Sequence, residues 1–379
     1  MSRFRAAWAT RPWAMDQSTA GFLVRDHSQV IALRNNLAGE RLRVQFCNLL
    51  GREPVSLTGV TASCGGVAAP VTLGGDETIV LPPGAEPMSD DIGLAAVPGE
   101  PIRLTTHVAG EQEIRGFAML FLPEFATVEK RGFSASPFPA LGDAEAVDKL
   151  VNFYGVSALE VDAADDARVV AMFGDSITHM STVSGPLARR LYETFPGRVG
   201  FKSAGITGNR LLRGPQGGLP MSEWYGPAGV SRFDQDVFGG AKVDLVVILE
   251  GVNDLCHPAM AGKPDELPTP DALAAGLAGC AATAHRLGAQ ALACTLPPFG
   301  AYPCWNPELE RIRQDFNDWI RDNRAFDGFL DFDASLADQD APHKIADQWH
   351  TGDGLHPNLA AGEHLARGAA FETLRDFVA

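Results

Sequence analysis

The chain has 379 residues, 45% of them hydrophobic, and its 31 Lys+Arg against 47 Asp+Glu give a formal charge of −16. That length exceeds what one hydrophobic core usually organises, so the composition describes a folded protein of about two domains rather than a disordered one. The negative charge repels phosphate backbones and anionic lipid headgroups, which sets nucleic acid aside as a partner.

The first 21 residues, MSRFRAAWATRPWAMDQSTAG, carry three Arg and no apolar core of a signal peptide. Nowhere does a run of roughly 18 apolar residues occur, so membrane insertion is not expected. As written the chain reads as cytoplasmic, although a mature secreted protein with a new start Met would read the same. The six cysteines, Cys47, Cys64, Cys256, Cys280, Cys294 and Cys304, form no C-x-x-C pair and are expected to be free thiols. Cys294 and Cys304 bracket a Pro/Gly-rich loop and are the one pair whose spacing leaves a disulfide open.

From about residue 18 to residue 130 short strands alternate with turn clusters: RLRVQFCNLLG, VSLTGV, VTLGG, ETIVLPPG and GFAMLFLPEF. They are rich in Val, Leu, Ile, Thr and Phe and recur at intervals typical of an all-β sandwich. Leu42, Val44 and Phe46 alternate with Arg41, Arg43 and Gln45, the period of a strand with one wet face. The segment GDAEAVDKLVNFYGVSALEVDAADDA then reads as a connector mixing a short helical piece with acidic turns. The expected organisation is a β-sandwich domain over 1–142, a linker over 143–165 and a second domain over 166–379.

In the second domain apolar runs (VVAMF, VGFKSAGI, VDLVVILEG, AQALACTL, GFLDF) alternate with segments of helical period, the signature of an α/β fold with a parallel sheet. Leu187, Leu191 and Phe195 share one helical face. Thr269-Pro270-Asp271 predicts a helix start, followed by Leu273, Leu277, Ala281 and Ala284 on one face; Asn306-Pro307-Glu308 predicts another, followed by Leu309, Ile312, Phe316 and Trp319. The stretch from Gly214 to Gly229 reads as a long loop lying over something.

Ligands of open parallel sheets bind beyond the carboxyl ends of the strands, so the residues after each strand carry the functional reading. They are Gly174-Asp175-Ser176, Ile206-Thr207-Gly208-Asn209 and Gly251-Val252-Asn253-Asp254, while Asp353 and His356 stand on a loop before the C-terminal helix. A serine hydroxyl needs an adjacent base, and that base needs a carboxylate to hold its tautomer and stabilise its charge. Ser176, His356 and Asp353 supply those roles. The backbone N–H groups of Ser176 and Gly208 and the side-chain amide of Asn253 are candidate donors to an oxyanion. Several readings compete with these assignments. Asp175 serves equally as a turn residue, Asn253 and Asp254 as an Asx turn, and Gly208 as a residue of positive φ. His350 competes with His356 as base. His179, His257 and His285 are expected at the surface or in loops, and Trp224, Tyr225, Tyr302 and Trp305 in loops that line a pocket or a domain contact.

In these four blocks, GDSIT (Ser176), ITGN (Gly208), GVND (Asn253) and DGLH (Asp353, His356), the chain resembles the GDSL-type, or SGNH, hydrolase superfamily over about residues 166 to 379. The resemblance implies a three-layer α/β/α sandwich of about five parallel strands, flavodoxin-like, preceded by a jelly-roll-like β domain. NNLAGERLRVQFCNLLGREPVSL is similar to the β-rich domain of one bacterial subgroup. The implied activity is ester hydrolysis, on short acyl groups, carbohydrate acetates or lysophospholipids, with thioesters a further option and no metal, nucleotide or redox cofactor. Ile-Thr after Ser176 departs from the consensus Leu but removes no reactive group, and the nucleophile elbow G-x-S-x-G of α/β-hydrolases is absent because position 178 is Thr. Two readings from other classes stand beside it: a metal-dependent hydrolase using His350, Asp353 and His356 with His343 and Asp175, and a non-catalytic carbohydrate-binding protein. The expected partner is a small-molecule or carbohydrate ester; oligomeric state is not legible.

Overall fold

A computed structural model of the chain describes residues 3–14, 22–120, 126–130, 151–220, 222–322 and 324–379. It divides into two compact units, Met1–Val169 with Tyr192–Lys202, and Val170–Leu191 with Ser203–Ala379.

The strands of the first unit are β1 (Phe4–Thr10), β2 (Trp13–Ala14), β3 (Phe22–Leu33), β4 (Gly39–Cys47), β5 (Val55–Cys64), β6 (Val67–Pro70), β7 (Ile79–Leu81), β8 (Ile102–Ile114), β9 (Gly116–Leu120), β10 (Ala126–Lys130), β11 (Val151–Phe153) and β12 (Gly155–Ala163). They pair antiparallel: β10-β3-β8-β5-β6 in one sheet with β7 on β5, β11-β9-β2 in another, and β12 between β1 and β4. This is an antiparallel β unit, as the alternating sequence implies. In β4 the side chains of Leu42, Val44 and Phe46 are fully buried while Arg41 is exposed.

Residues 143–150 of the expected connector, with its helical piece, lie outside the described residues. The remainder differs from the expectation, because Gly155–Ala163 is a strand. Glu160 and Asp162 alternate along it with the buried Leu159, Val161 and Ala163, whereas Asp165 and Asp166 do form the expected acidic turn. Asp162 meets the Arg41 guanidinium at 2.7 Å.

Further along the chain β13 (Arg168–Gly174), β14 (Val199–Gly205), β15 (Leu245–Leu249), β16 (Gln290–Cys294) and β17 (Gly328–Leu330) are ordered β17-β16-β15-β13-β14. β13, β15, β16 and β17 pair in parallel. Bonds from Arg168 N–H to the Arg198 carbonyl and from Ile206 N–H to the Gly174 carbonyl show that β14 also runs parallel to β13. All five residues of β15 are buried, as a strand covered on both faces requires.

The helices are α1 (Ser176–His179), α2 (Ser184–Thr194), α3 (Gly229–Val237), α4 (Val252–Met260), α5 (Pro270–Arg286), α6 (Pro307–Asp322), α7 (Phe332–Leu336), α8 (Leu359–Leu365) and α9 (Ala369–Val378). Their starts follow the sequence signals. The Thr269 hydroxyl accepts the Ala272 N–H at 3.2 Å, and Asn306 Oδ1 accepts the N–H groups of Glu308 and Leu309 at 2.9 and 3.1 Å. On α6, Leu309, Ile312 and Phe316 are buried, whereas Trp319 is half-buried and stacks on Phe316 at 6.0 Å. Among the described residues no helix is long and apolar enough to cross a membrane.

Candidate active site

β13 ends in Gly174, and the chain turns into α1 with Ser176 as its first residue. Glycine is required there for space: a Cβ at 174 would lie 2.3 Å from Thr178 Oγ1 and 2.4 Å from the Leu249 carbonyl of β15. Asp175 caps the helix, its Oδ1 accepting the Ile177 N–H at 2.9 Å. Its carboxylate is therefore turned to the backbone, and the turn-stabilising alternative describes it.

Ser176 Oγ lies 2.9 Å from His356 Nε2, and His356 Nδ1 lies 2.5 Å from Asp353 Oδ2. The other oxygen of Asp353 accepts the backbone N–H groups of Leu355 and His356, both at 2.9 Å. Burial works against ionisation of Asp353, but the His356 imidazole and these two N–H groups outweigh it and hold the carboxyl below the usual carboxylate range. Alcohol, imidazole and carboxylate thus stand in a line, the order in which a proton can leave the alcohol for the imidazole while the carboxylate stabilises the charge. His350 is engaged elsewhere: its Nδ1 accepts the N–H groups of Gly352 and Gly354 at 2.9 and 3.2 Å.

The three candidate donor groups sit at neighbouring strand ends. Among the described residues no hydrogen bond engages the backbone N–H of Ser176 or of Gly208. Asn253 lies in the first turn of α4 rather than in a loop; its amide donates to the Asn209 carbonyl at 2.9 Å and more loosely to Asp175 Oδ2 at 3.4 Å. Asp254 accepts the N–H groups of Leu211 and Leu212 at 2.6 and 3.0 Å, so it braces the segment after Gly208 instead of facing solvent. Burial pushes both Asp175 and Asp254 up to about 6.

Gly208 has φ +73, and a Cβ there would lie 2.2 Å from the Tyr225 ring. The long loop therefore lies over the Gly208 turn. Tyr225 is held from three sides, by the Asn209 amide on its carbonyl at 2.6 Å, by its own hydroxyl on the Pro220 carbonyl at 3.0 Å, and by stacking on His257 at 5.0 Å. His257 and His179 depart from the expected surface placement, being 5% and 2% exposed. His179 Nδ1 lies 2.8 Å from Thr207 Oγ1. Burial, with Arg210 nearby, pushes His257 down to about 4, so it stays neutral under its aromatic cover. His285 is exposed and pairs with Asp327 at 2.9 Å.

Among the described residues no three His, Cys, Asp or Glu converge as metal ligands. The set His350, Asp353 and His356 is not brought to one point: the ring nitrogens of His356 face Ser176 and Asp353, and His350 faces backbone. All six cysteines are free thiols, with Cys294 buried on β16. Sequence reasoning missed Arg232 and Glu250, both buried beneath the strand ends. Arg232 and Asp236 are four apart on α3, a spacing that reads as an exposed ion pair.

A family model described as the GDSL-like Lipase/Acylhydrolase family matches residues 172–363, a span holding all four blocks. The chain belongs to that family. This GDSL-like hydrolase is a carboxylic ester hydrolase with a mixed α/β catalytic fold and an N-terminal antiparallel β unit. Among solved structures it is similar to a GDSL-like lipase from Bacteroides thetaiotaomicron VPI-5482 (19% identity, 55% of this chain and 89% of that one, TM-score 0.39). It is also similar to LAE5, an alpha/beta hydrolase from the metagenome of Lake Arreo, Spain (22%, 56% and 98%, TM-score 0.41). A third is Est24, a carbohydrate acetylesterase from Sinorhizobium meliloti (16%, 55% and 99%, TM-score 0.39). No curated protein matches the chain.

Proposed function

We propose that this GDSL-like hydrolase is a serine esterase acting on short acyl esters, acetyl esters of carbohydrates among them, through Ser176, His356 and Asp353. The single observation that supports the machinery is the 2.9 Å and 2.5 Å chain of contacts from Ser176 through His356 to Asp353. Ser176 Oγ attacks the ester carbonyl as His356 takes its proton, and the N–H groups of Ser176, Gly208 and Asn253 receive the oxyanion. His356 then protonates the leaving alcohol, and water repeats the sequence on the acyl-enzyme.

Two features support the substrate class. Tyr225 fills the space against Gly208, beside one proposed oxyanion donor, which favours a small acyl group. Tyr302 and Trp305, the latter lying against the His343 ring at 5.1 Å, stand half-buried on the loop whose Ala301 packs against Gly354, next to Asp353, and place aromatic side chains where a sugar leaving group would pass. Every proposed catalytic group lies within Val170–Leu191 and Ser203–Ala379, which supports a catalytic role for the C-terminal half of the chain; residues 166–169 and 192–202, assigned from sequence to the same domain, group with the first unit instead.

A fluorophosphonate probe followed by peptide mapping tests the nucleophile: the adduct belongs on Ser176, and modification elsewhere with Ser176 free rejects the assignment. p-Nitrophenyl esters from acetate to dodecanoate, beside an acetylated xylooligosaccharide, test the substrate. Rates should fall beyond about four acyl carbons, and a maximum at long chains would refute the short-acyl reading.

A further inference from the structure

Arg232, on α3, is 4% exposed and makes contact with the root of every segment that carries a proposed oxyanion donor. Its Nη2 donates to the Gly174 carbonyl at 2.9 Å, two residues before Ser176. Nη1 donates to the Ala204 carbonyl at 2.9 Å, on the strand that leads into the Gly208 turn. Nε donates to Asn209 Oδ1 at 2.8 Å, the residue after Gly208. Nη2 also reaches Glu250 Oε1 at 3.2 Å, three residues before Asn253, and Asp236 accepts from Nη1 at 2.9 Å. The guanidinium carbon lies 4.1 Å from the centre of the Phe173 ring.

Asn209 relays this grip. Its carbonyl accepts the Asn253 amide at 2.9 Å, and its own amide holds the Tyr225 and Pro227 carbonyls at 2.6 and 2.8 Å. A planar fork of five N–H donors suits this arrangement, because its acceptors lie around one plane and in fixed directions; a lysine ammonium has three donors on a flexible stem. Removing these bonds would leave the Asn209 side-chain oxygen and two carboxylates, Glu250 and Asp236, short of a donor beneath the strand ends and would let each turn relax separately.

We infer that Arg232 is a positioning residue of the hydrolase, holding the Ser176, Gly208 and Asn253 segments in mutual register so that their donors meet at one oxyanion. It touches no reacting atom and acts through the turns it binds. Oxyanion donors contribute in the transition state more than in the bound ester, so loss of register lowers kcat and leaves KM close to its original value. This consequence rests on the esterase reading above, whereas the register itself does not.

Arg232→Lys keeps the charge and Arg232→Gln keeps a planar amide; both are compared with the original chain on p-nitrophenyl acetate and by amide hydrogen exchange. The expected result is a kcat lower by about 10- to 100-fold with KM changed less than about threefold. Exchange should rise at Asp175–Thr178 and Ile206–Leu212 while β15 and β16 stay protected, a localisation that a general loss of stability would not give. The inference is overturned if a folded variant keeps full kcat, or if KM alone rises. It is equally overturned if exchange stays unchanged at these two segments or rises evenly over the sheet. Should the original chain hydrolyse no ester, the esterase reading fails and the exchange pattern still decides the role of Arg232.

Discussion

Ser176 Oγ and His356 Nε2 are 180 positions apart in the chain and 2.9 Å apart in space. The alcohol comes from the end of β13 and the imidazole from the loop before α8, so the pair exists only once the parallel sheet has gathered its strand ends. Ser176→Ala removes the alcohol and almost no volume. Turnover of p-nitrophenyl acetate should fall to below about a hundredth, with the melting temperature unchanged within a few degrees; residual rates above that level contradict the role.

Asp353 holds His356 Nδ1 at 2.5 Å. Asp353→Asn replaces an acceptor by an amide and disturbs the imidazole tautomer, and kcat should drop by roughly 10³- to 10⁴-fold. The carboxyl is held below its ordinary range, so its contribution to stability is present above the unfolded value, near pH 4, and is lost as the pH falls through the folded one. The stability difference between the original chain and the variant should accordingly shrink in acid, as read by urea melts at pH 3 and pH 7.

Asn253→Ala deletes one proposed oxyanion donor while sparing the Ser176–His356 contact. Steady-state kinetics should show kcat lower by roughly 10²- to 10³-fold with KM little changed. A rise in KM alone would mean that the amide binds the ground-state ester instead.

Asp175 titrates in the opposite sense to Asp353. Its pKa is raised from 3.8 to about 6, by burial first, against the Ile177 N–H, His356 and Arg232, with Asp254 adding to the rise. A carboxyl that binds its proton more tightly when folded contributes stability that is complete below pH 4 and is lost as the pH climbs through about 6. Two units at 1.36 kcal/mol each correspond to about 3 kcal/mol. Asp175→Asn keeps an acceptor for the Ile177 N–H and has no charge to bury. The original chain should therefore lose about that much stability relative to the variant between pH 4 and pH 8; parallel stability curves for the two proteins would refute this.

Gly208 is constrained twice, by φ +73 and by the Tyr225 ring 2.2 Å from where a Cβ would stand. Gly208→Ala should cut kcat by more than about tenfold and lower stability by 1 kcal/mol or more, about the cost of a left-handed alanine plus overlap. Tyr225→Ala in the same chain removes the overlap and leaves the φ strain. Partial recovery in the double variant is the expected outcome, and purely additive effects would show that the ring is not what Gly208 accommodates.

Legibility differed between the halves of the chain. The alternation of Leu42, Val44 and Phe46 with Arg41, Arg43 and Gln45 reads directly as a strand because side chains on a pleated backbone alternate faces. The same rule operates in Gly155–Ala163, yet two acidic residues there, Glu160 and Asp162, suggested turns, because their partners, Arg41 among them, are far off in sequence. The four blocks named Ser176, Gly208 and Asn253 by motif and by their place after strands, and Asp353 and His356 by motif and by their place before the C-terminal helix; the fold brings Ser176, His356 and Asp353 into contact.

Motif and period therefore determined the α/β class, the helix starts at Thr269 and Asn306, and the choice of the proposed reactive groups, since each depends on neighbours within a few positions. Only the tertiary structure decided what surrounds them: that Tyr225 lies on Gly208, that His179 and His257 are buried, and that Arg232 joins three turns from beneath. Burial and hydrogen-bond partnership are properties of segments brought together from distant positions, and a charged residue on an amphipathic helix carries no local mark of which face will be covered.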